Sequence, residues 1–460
     1  MKALSPRHHR LALWALWALV AFGWLNLQAW PEAGVAPASK PAPGLAGLLT
    51  LMRDDGDTRR YFAYAEAMLG RPYDGYFVRP AAAAADTSAG RHELVTPPTP
   101  LRPWRDFEIE YPPGVLAVAL PPAWLTDDFP TYHLLFGLEM ELLLTLAIAL
   151  AVRTADRFDP ALGVRTLGFS VVMLLAIGPI AARRYDALVS VCLAASVAAL
   201  AARRAFGAGA ALGAAIVAKG VPLLLAPIGA LHVAYGRNWG ALARAGAGAG
   251  LMLGASALLY FTLADGHGLD ALAYHADRPV QIESPYGAAT LLVKPLLPGL
   301  VRIVHTYGSH NIEATFEPAL RKLSTALTLA AILAVFALYV RGLARLPAER
   351  AELERLRLTL AASVALLAAY VLLGKVFSPQ YLTWFLPIGA LAATLGSERS
   401  RALLAFGALA GQIEYPYLYQ TAGPYALQGI GAIALVRFAL LAAATISLLA
   451  EAYPPRRLGA

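Results

Sequence analysis

Long apolar stretches, rather than any alternation of apolar and polar residues, set the pattern of this chain. They lie near 11–30, 132–152, 161–181, 187–202, 206–219, 222–235, 243–264, 323–341, 357–374, 380–396, 401–418 and 428–450. Most run for about 17–25 residues, long enough for a helix to cross a bilayer. In lipid the backbone polar groups must pair within their own segment, so such runs form helices. The pattern predicts an all-α fold, a polytopic membrane helical bundle of about 12 spans. One integral membrane domain over residues 1–460 is expected, with surface helices in large external loops.

The segments between the runs give an orientation. Arg153, Arg157 and Arg165 share one loop, Arg203 and Arg204 another, and Arg237 and Arg244 flank a third. A longer basic loop runs from Arg341 to Arg357, Arg399 and Arg401 form the next, and Arg456 and Arg457 follow the last run. Short basic loops stay on the cytoplasmic side, and the runs alternate without contradiction if both termini face the cytoplasm. Residues 31–130 and 265–322 then become the first and second external loops, and Gly374 to Gln380 a short external turn. Pro- and Ala-rich stretches at 31–44 and 80–103 read as connectors. Between and after them, 58–69 and 287–304 have the character of helices lying along the membrane surface. The expected localisation is the cell membrane, multi-pass, with the chemistry on the extracytoplasmic side. The N-terminal apolar run is longer than a signal-peptide core and reads as a retained anchor.

One pair of runs is unusual. Residues 206–219 and 222–235 are each about 14 residues long, too short to cross the hydrocarbon comfortably. They meet at Lys219-Gly220-Val221-Pro222, with basic residues at both outer ends. A short helical hairpin whose tip stops inside the protein satisfies this, because irregular backbone at membrane depth is tolerated only where it lines a cavity. Lys219 is thereby expected at a cavity floor.

Composition closes off other classes. Hydrophobic residues make up 58% of the chain and charged residues 15%, with mean hydropathy +0.55; soluble domains carry about 25% charged residues. The net charge of +8 would suggest nucleic acid on a soluble protein. Here it sits in short loops and follows from the orientation, so no nucleic-acid partner is expected. Cys192 is the single cysteine, so neither an intrachain disulfide nor a C-x-x-C metal site can form.

Polar groups expected to face outward fall into short strings. They are Asp54-Asp55-Gly56-Asp57 with Tyr61, Tyr64 and Tyr73; Glu108 to Gly114 with Glu110 and Tyr111; Arg183-Arg184-Tyr185-Asp186; Lys219; His275, Asp277, Arg278, Gln281, Glu283 and Ser284; and Lys375 to Tyr381 with Gln380, just before Trp384. Each has a plain structural reading. The aspartates can form a solvated turn with one as a helix cap. Arg184 and Asp186 can pair with each other, Lys219 can snorkel, and the tyrosines can belong to an interfacial belt. Together they place carboxylates and four cations (Arg184, Lys219, Arg278, Lys375) on one side of a bundle. Ionisable groups inside a membrane protein mark function by default. A carboxylate beside several cations suits removal of a proton from one group and stabilisation of an anionic leaving group on another. Metalloprotease, serine hydrolase and Walker patterns are absent.

The order D-x-x-x-Y-x-x-Y-A…G-x-P-Y, E-Y-P-P, R-Y-D, K-x-x-P, H-x-x-R-x-x-Q-x-E-S and K-V-F-S-P-Q-Y-x-x-W, over about residues 55–390, resembles the family 87 glycosyltransferases. Lys375 to Trp384 is the most specific string. The resemblance implies the C-type membrane glycosyltransferase fold and a polyprenyl-phosphate-sugar donor, with mannosyltransferases among the members. It implies a general base in the first external loop, matched here by Asp57, with Asp55 a near rival. The sequence departs from the pattern in a long insert at about 80–103, which bears on the acceptor. Asp55-Gly56-Asp57 also resembles the metal-binding D-x-D of soluble nucleotide-sugar transferases, but that motif needs an α/β domain that the pattern does not offer.

The expected reaction is an inverting displacement. A sugar, mannose or similar, passes from a polyprenyl-phosphate sugar to a lipid-linked or glycan acceptor, with membrane lipid the other partner. Asp57 takes the acceptor proton, and Arg184, Lys219, Arg278 and Lys375 hold the departing phosphate. Glu110, His275, Gln281 and Glu283 are candidates for sugar or acceptor hydroxyls. No cofactor is expected, since cations already face the monophosphate. The competing reading is a transporter or flippase of lipid-linked sugars, although such proteins usually show two related halves; a binding protein without catalysis is a third.

Overall fold

The computed structural model describes residues 6–24, 56–78, 92–265, 275–346, 351–418 and 427–453. Within them the apolar runs are helical. In chain order the helices are α1 (Pro6–Ala18), α2 (Gly56–Leu69), α3 (Leu116–Leu125), α4 (Phe129–Asp156), α5 (Pro160–Ile177), α6 (Asp186–Ala201), α7 (Ala205–Ala218), α8 (Ala226–Ala234), α9 (Trp239–Ala264), α10 (Pro285–Val293), α11 (Glu317–Leu343), α12 (Ala351–Leu373), α13 (Leu382–Thr394), α14 (Glu398–Gln412) and α15 (Leu427–Ala452). Six of these segments are long and apolar enough to cross a membrane: α4, α5, α9, α11, α12 and α15. The chain is a multi-pass membrane protein, and its regular structure among the described residues is helical apart from two small antiparallel sheets.

The expected count of about 12 spans is not shown: among the described residues six helices are long and apolar enough to cross, and the other apolar runs form shorter helices. The runs at 187–202, 206–219, 380–396 and 401–418 fold as helices of 16, 14, 13 and 15 residues, short of the roughly 20 that the hydrocarbon requires. Prolines and charges stop them early. Pro222 and Pro379 each open a 3₁₀ turn, where the missing N–H does no harm. The run at 222–235 splits into the turn Val221–Leu225 and the nine-residue α8.

Burial grades the bundle. In α12, 83% of the apolar window is buried, against 11% in α9 and 17% in α11. A helix apolar all round and buried on only one side needs lipid on the other. The outer leucines Leu251, Leu258, Leu329 and Leu333, all exposed, occupy such faces. Helix α6 packs against α4 and α7, α7 lies along α9, and α14 lies along α15.

The outer segments differ in part from expectation. Residues 58–69 form α2, as the pattern suggests. The helix expected over 287–304 ends at Val293. A 3₁₀ turn (Lys294–Leu296) follows, and then a hairpin of β1 (Arg302–Thr306) and β2 (Ser309–Glu313). Leu297-Pro298-Gly299 stops the helix, with Gly299 at φ 77°. Tyr307 and Gly308, at φ 52° and 65°, make the two-residue turn that favours a hairpin. The second small sheet pairs Tyr73–Asp74 with Leu94–Val95.

Candidate functional site

The site grows from the first turn of α2. Asp57 stands there beside the helix N-terminus, where negative charge is favoured, and Arg60 and Tyr61 follow at i+3 and i+4 on the same face. Asp57 Oδ2 meets Arg184 Nε at 2.8 Å. Arg184 is brought to it by the irregular stretch between the 3₁₀ turn Pro179–Ala182 and α6, where Arg184 Nη1 also donates to the Arg183 carbonyl at 3.1 Å. Asp186, the first residue of α6, is fully buried. Its Oδ1 accepts from Lys219 Nζ at 2.7 Å and from Trp384 Nε1 at 2.6 Å.

Lys219 sits at the break of the short hairpin, just after α7, with extended backbone (φ −161°, ψ 112°). Its ammonium lies 4.9 Å from the Tyr185 ring, 5.0 Å from Tyr381 and 5.2 Å from Trp384. Three aromatic faces within about 6 Å of one cation are a strong electrostatic setting. Tyr381 and Trp384 stack at 4.6 Å. Gly114, at the end of the Glu-Tyr-Pro-Pro string, lies against this break. A Cβ on it would come within 2.5 Å of Ala218 Cα and 2.7 Å of the Val217 carbonyl, so only glycine lets the string approach.

Above Asp57 the first loop contributes a second ion pair, Arg60 with Glu110. His275 Nε2 lies 3.1 Å from the Glu110 carbonyl. Tyr61, Tyr111 and Tyr185 meet edge to face at 5.1 to 5.8 Å and line the space around the carboxylate. The hairpin forms the roof. Arg278 Nη2 donates to Ser309 Oγ at 2.9 Å, and the turn glycine Gly308 faces the Arg60 guanidinium.

Electrostatics follow from this crowding. Burial pushes the Asp57 carboxyl up, but Arg184, Arg60, Lys219 and Arg278 together outweigh it and hold the group below the usual carboxylate range. Burial works against the Arg60 charge, yet Glu110 wins and keeps that guanidinium charged. Burial drives the Tyr61 and Tyr111 phenols up, and Asp57 adds to it. Burial also lowers His275, helped by Arg278, so its ring is neutral at pH 7.

Asp57, Tyr61, Glu110, Tyr111, Arg184, Asp186, Lys219, Arg278 and Tyr381 thus come together. Other sequence candidates stand further back. Ser284 is fully buried and caps α10, its Oγ accepting from the Gly287 N–H at 3.1 Å and donating to the Gln281 carbonyl at 2.7 Å. The Gln281 side-chain amide donates to the Glu283 carboxylate, and both are buried. Lys375 Nζ donates to the Ala276 carbonyl at 2.6 Å. Gln380 lies in the turn Pro379–Tyr381 with its Oε1 buried and without a partner among the described residues. Asp55 lies outside the described residues. The sequence reading passed over Arg60, Tyr185 and Trp384 as site residues. Arg60 could have been found from its i+3 spacing to Asp57, and the other two from strings already singled out.

The buried polar atoms without a hydrogen-bond partner among the described residues include the Tyr61 and Tyr185 hydroxyls, Asp186 Oδ2 and Thr58 Oγ1. Buried polar atoms normally find partners, so a cluster of orphans beside one carboxylate marks a place built to receive a polar guest.

No family model matches the chain, and no curated protein does. Among solved structures, ArnT from Cupriavidus metallidurans bound to undecaprenyl phosphate is similar at 15% identity and a TM-score of 0.44, over 96% of this chain and 77% of that one. The archaeal oligosaccharyltransferase AglB from Archaeoglobus fulgidus, in complex with an inhibitory peptide and a dolichol-phosphate, is similar at 12% identity and a TM-score of 0.43. That match covers 98% of this chain and 57% of the archaeal one. These likenesses are loose, and the chemistry is read from the side chains themselves.

Proposed function

We propose that the protein is a membrane glycosyltransferase that moves a sugar, mannose or similar, from a polyprenyl-phosphate sugar to a lipid-linked or glycan acceptor on the outer face of the membrane. The observation that carries this reading is Asp57 on Arg184 at 2.8 Å, with Lys219, Arg60 and Arg278 acting on the same carboxylate. An ionised base and a set of cations for a phosphate share one small space. The resemblance of the motif strings to family 87 glycosyltransferases supports the donor class, and the bias of basic loops supports the outward face.

In the proposed step Asp57 takes the proton of the acceptor hydroxyl. The acceptor oxygen attacks the sugar C1 from the side opposite the phosphate, so the anomeric configuration inverts. The bond from C1 to the phosphate oxygen breaks, and polyprenyl phosphate leaves with the bond electrons. Arg184, Lys219 and Arg278 would stabilise that negative charge, a contribution often larger than that of the base. The tyrosine hydroxyls and Glu110 offer partners to sugar hydroxyls.

Purified protein given a labelled polyprenyl-phosphate sugar and a mixed glycan acceptor pool provides the test. Transfer of label with inversion is the expected result. Movement of intact donor across a proteoliposome membrane without any transfer would instead make the protein a flippase, and the transferase reading would be dropped.

A further inference from the structure

Arg437 is the one charged residue in the apolar run 428–450. It lies in α15, and 2% of its side chain is exposed. A guanidinium within a membrane-spanning helix is expensive and persists where its donors are used. Arg437 makes contact with three separate segments. It pairs with the fully buried Glu414 in the π turn Ile413–Leu418 after α14. Its Nη2 donates to the Glu283 backbone carbonyl at 2.6 Å. Its guanidinium carbon sits 3.4 Å above the centre of the Phe377 ring.

Glu283 and Phe377 belong to the two strings that flank the site from the second loop and the short outer turn. The strings are also tied to each other, since the Gln281 N–H donates to the Lys375 carbonyl at 2.9 Å. Phe377 in turn meets Tyr381 edge to face at 6.2 Å, and Tyr381 is one of the rings around Lys219. A planar fork with five donors suits such a three-way junction better than an ammonium does.

We propose that Arg437 is a positioning residue. It holds the Gln281–Ser284 segment and the Phe377–Tyr381 turn in register, and so sets the ring that faces Lys219. Glu414 holds the guanidinium from the α14 side. The claim rests on the reading of that site as a transferase centre. A purely structural ion pair of this kind can be replaced by apolar residues with little loss of stability, whereas the bond to the Glu283 carbonyl and the stack on Phe377 cannot be supplied by an aliphatic chain.

The double variant Arg437→Met/Glu414→Leu removes both charges together and is compared with wild type in three ways: thermal stability in detergent, hydrogen exchange over 278–284 and 376–381, and donor KM and kcat. A near-wild-type melting temperature is expected, with exchange in both segments faster by about tenfold. In the same variant kcat/KM should fall by about tenfold or more, most of it in donor KM, as for a site whose groups are slightly misplaced. Wild-type exchange and kinetics in the folded double variant would overturn the proposal. If the double variant does not fold, Phe377→Leu keeps the ion pair and removes the stack. Faster exchange over 376–381 then supports the proposal, and unchanged exchange overturns it. Exchange is read without substrate, so a wild-type protein that transfers no sugar would refute the transferase reading and leave the positioning result standing.

Discussion

Asp57→Asn keeps the shape of the carboxylate and removes both its charge and its capacity to take a proton. The pair it breaks is tight, at 2.8 Å, with Arg184 9% and Asp57 22% exposed. At an effective dielectric of about 20, opposite unit charges about 4 Å apart attract by on the order of 4 kcal/mol before desolvation is counted. That attraction holds Arg184 on Asp57. The substitution releases a cation among other cations, so affinity for an anionic donor should hold or rise. Loss of a general base should lower turnover by about 10²-fold or more, which is about 3 kcal/mol of transition-state stabilisation. The signature is therefore a split, with kcat down and donor KM unchanged or lower. Initial rates with labelled donor, together with equilibrium donor binding, read both halves. Asp55→Asn serves as the control and should be much milder. Normal turnover in Asp57→Asn would refute the assignment. If Asp55→Asn is then the dead variant, the wrong carboxylate was chosen; if both are active, the displacement mechanism falls.

Two other expectations follow from particular contacts. In a Cys192-free background, single cysteines near positions 2 and 458 should react only with reagent that enters the cytoplasm; labelling of both from outside would reverse the orientation. Gly114→Ala should displace the hairpin break at Lys219, because its Cβ has no room against Ala218 and Val217. The expected loss is about 1–3 kcal/mol of stability with weaker donor binding, and wild-type melting and donor affinity would show that the approach is looser than described.

The membrane class and the helical runs were legible because lipid demands a length and a composition that few other contexts produce. The break at Lys219 was legible for the same reason, from two runs too short to cross. The lengths of the individual helices were not, because a run that folds as a short helix has the same composition as one that folds as a long one. The hairpin of β1 and β2 was hidden because Val301, Ile303 and Val304 follow an apolar run that periodicity alone assigns as readily to helix. In the site, residues sharing one helix face could be placed from spacing, as with Asp57 and Tyr61. The pairing of Asp57 with Arg184, 127 residues later, could not, and neither could the choice of Lys219 over Arg184 as the partner of Asp186. Arg437 and Glu414 were readable as charges within apolar runs, a signal the functional strings drew attention away from.

The cations of the site are engaged by the protein's own groups: Arg184 with Asp57, Lys219 with Asp186, Arg60 with Glu110, Arg278 with Ser309. This fixes the pH behaviour of the base. Burial alone would raise the Asp57 carboxyl, but Arg184 and the other cations hold it below its ordinary value, about 3.9 for an aspartate in solution. A group depressed on folding contributes stability above its unfolded value and loses it as the pH falls through the folded one. The acid limb of kcat/KM, which reports the free protein, should accordingly lie below the pH at which an ordinary aspartate titrates. A carboxylate held so firmly ionised is a weak proton acceptor, and an anion arriving at the same cations offsets their pull. Donor binding would then strengthen the base when it is needed. Arg184→Gln removes the largest of the opposing charges and should move the acid limb upward, whatever it does to the height of the profile. Rate profiles for both proteins from about pH 3.5 to 7 decide the matter, and an acid limb that stays in place in Arg184→Gln would mean that Asp57 is not the group that titrates.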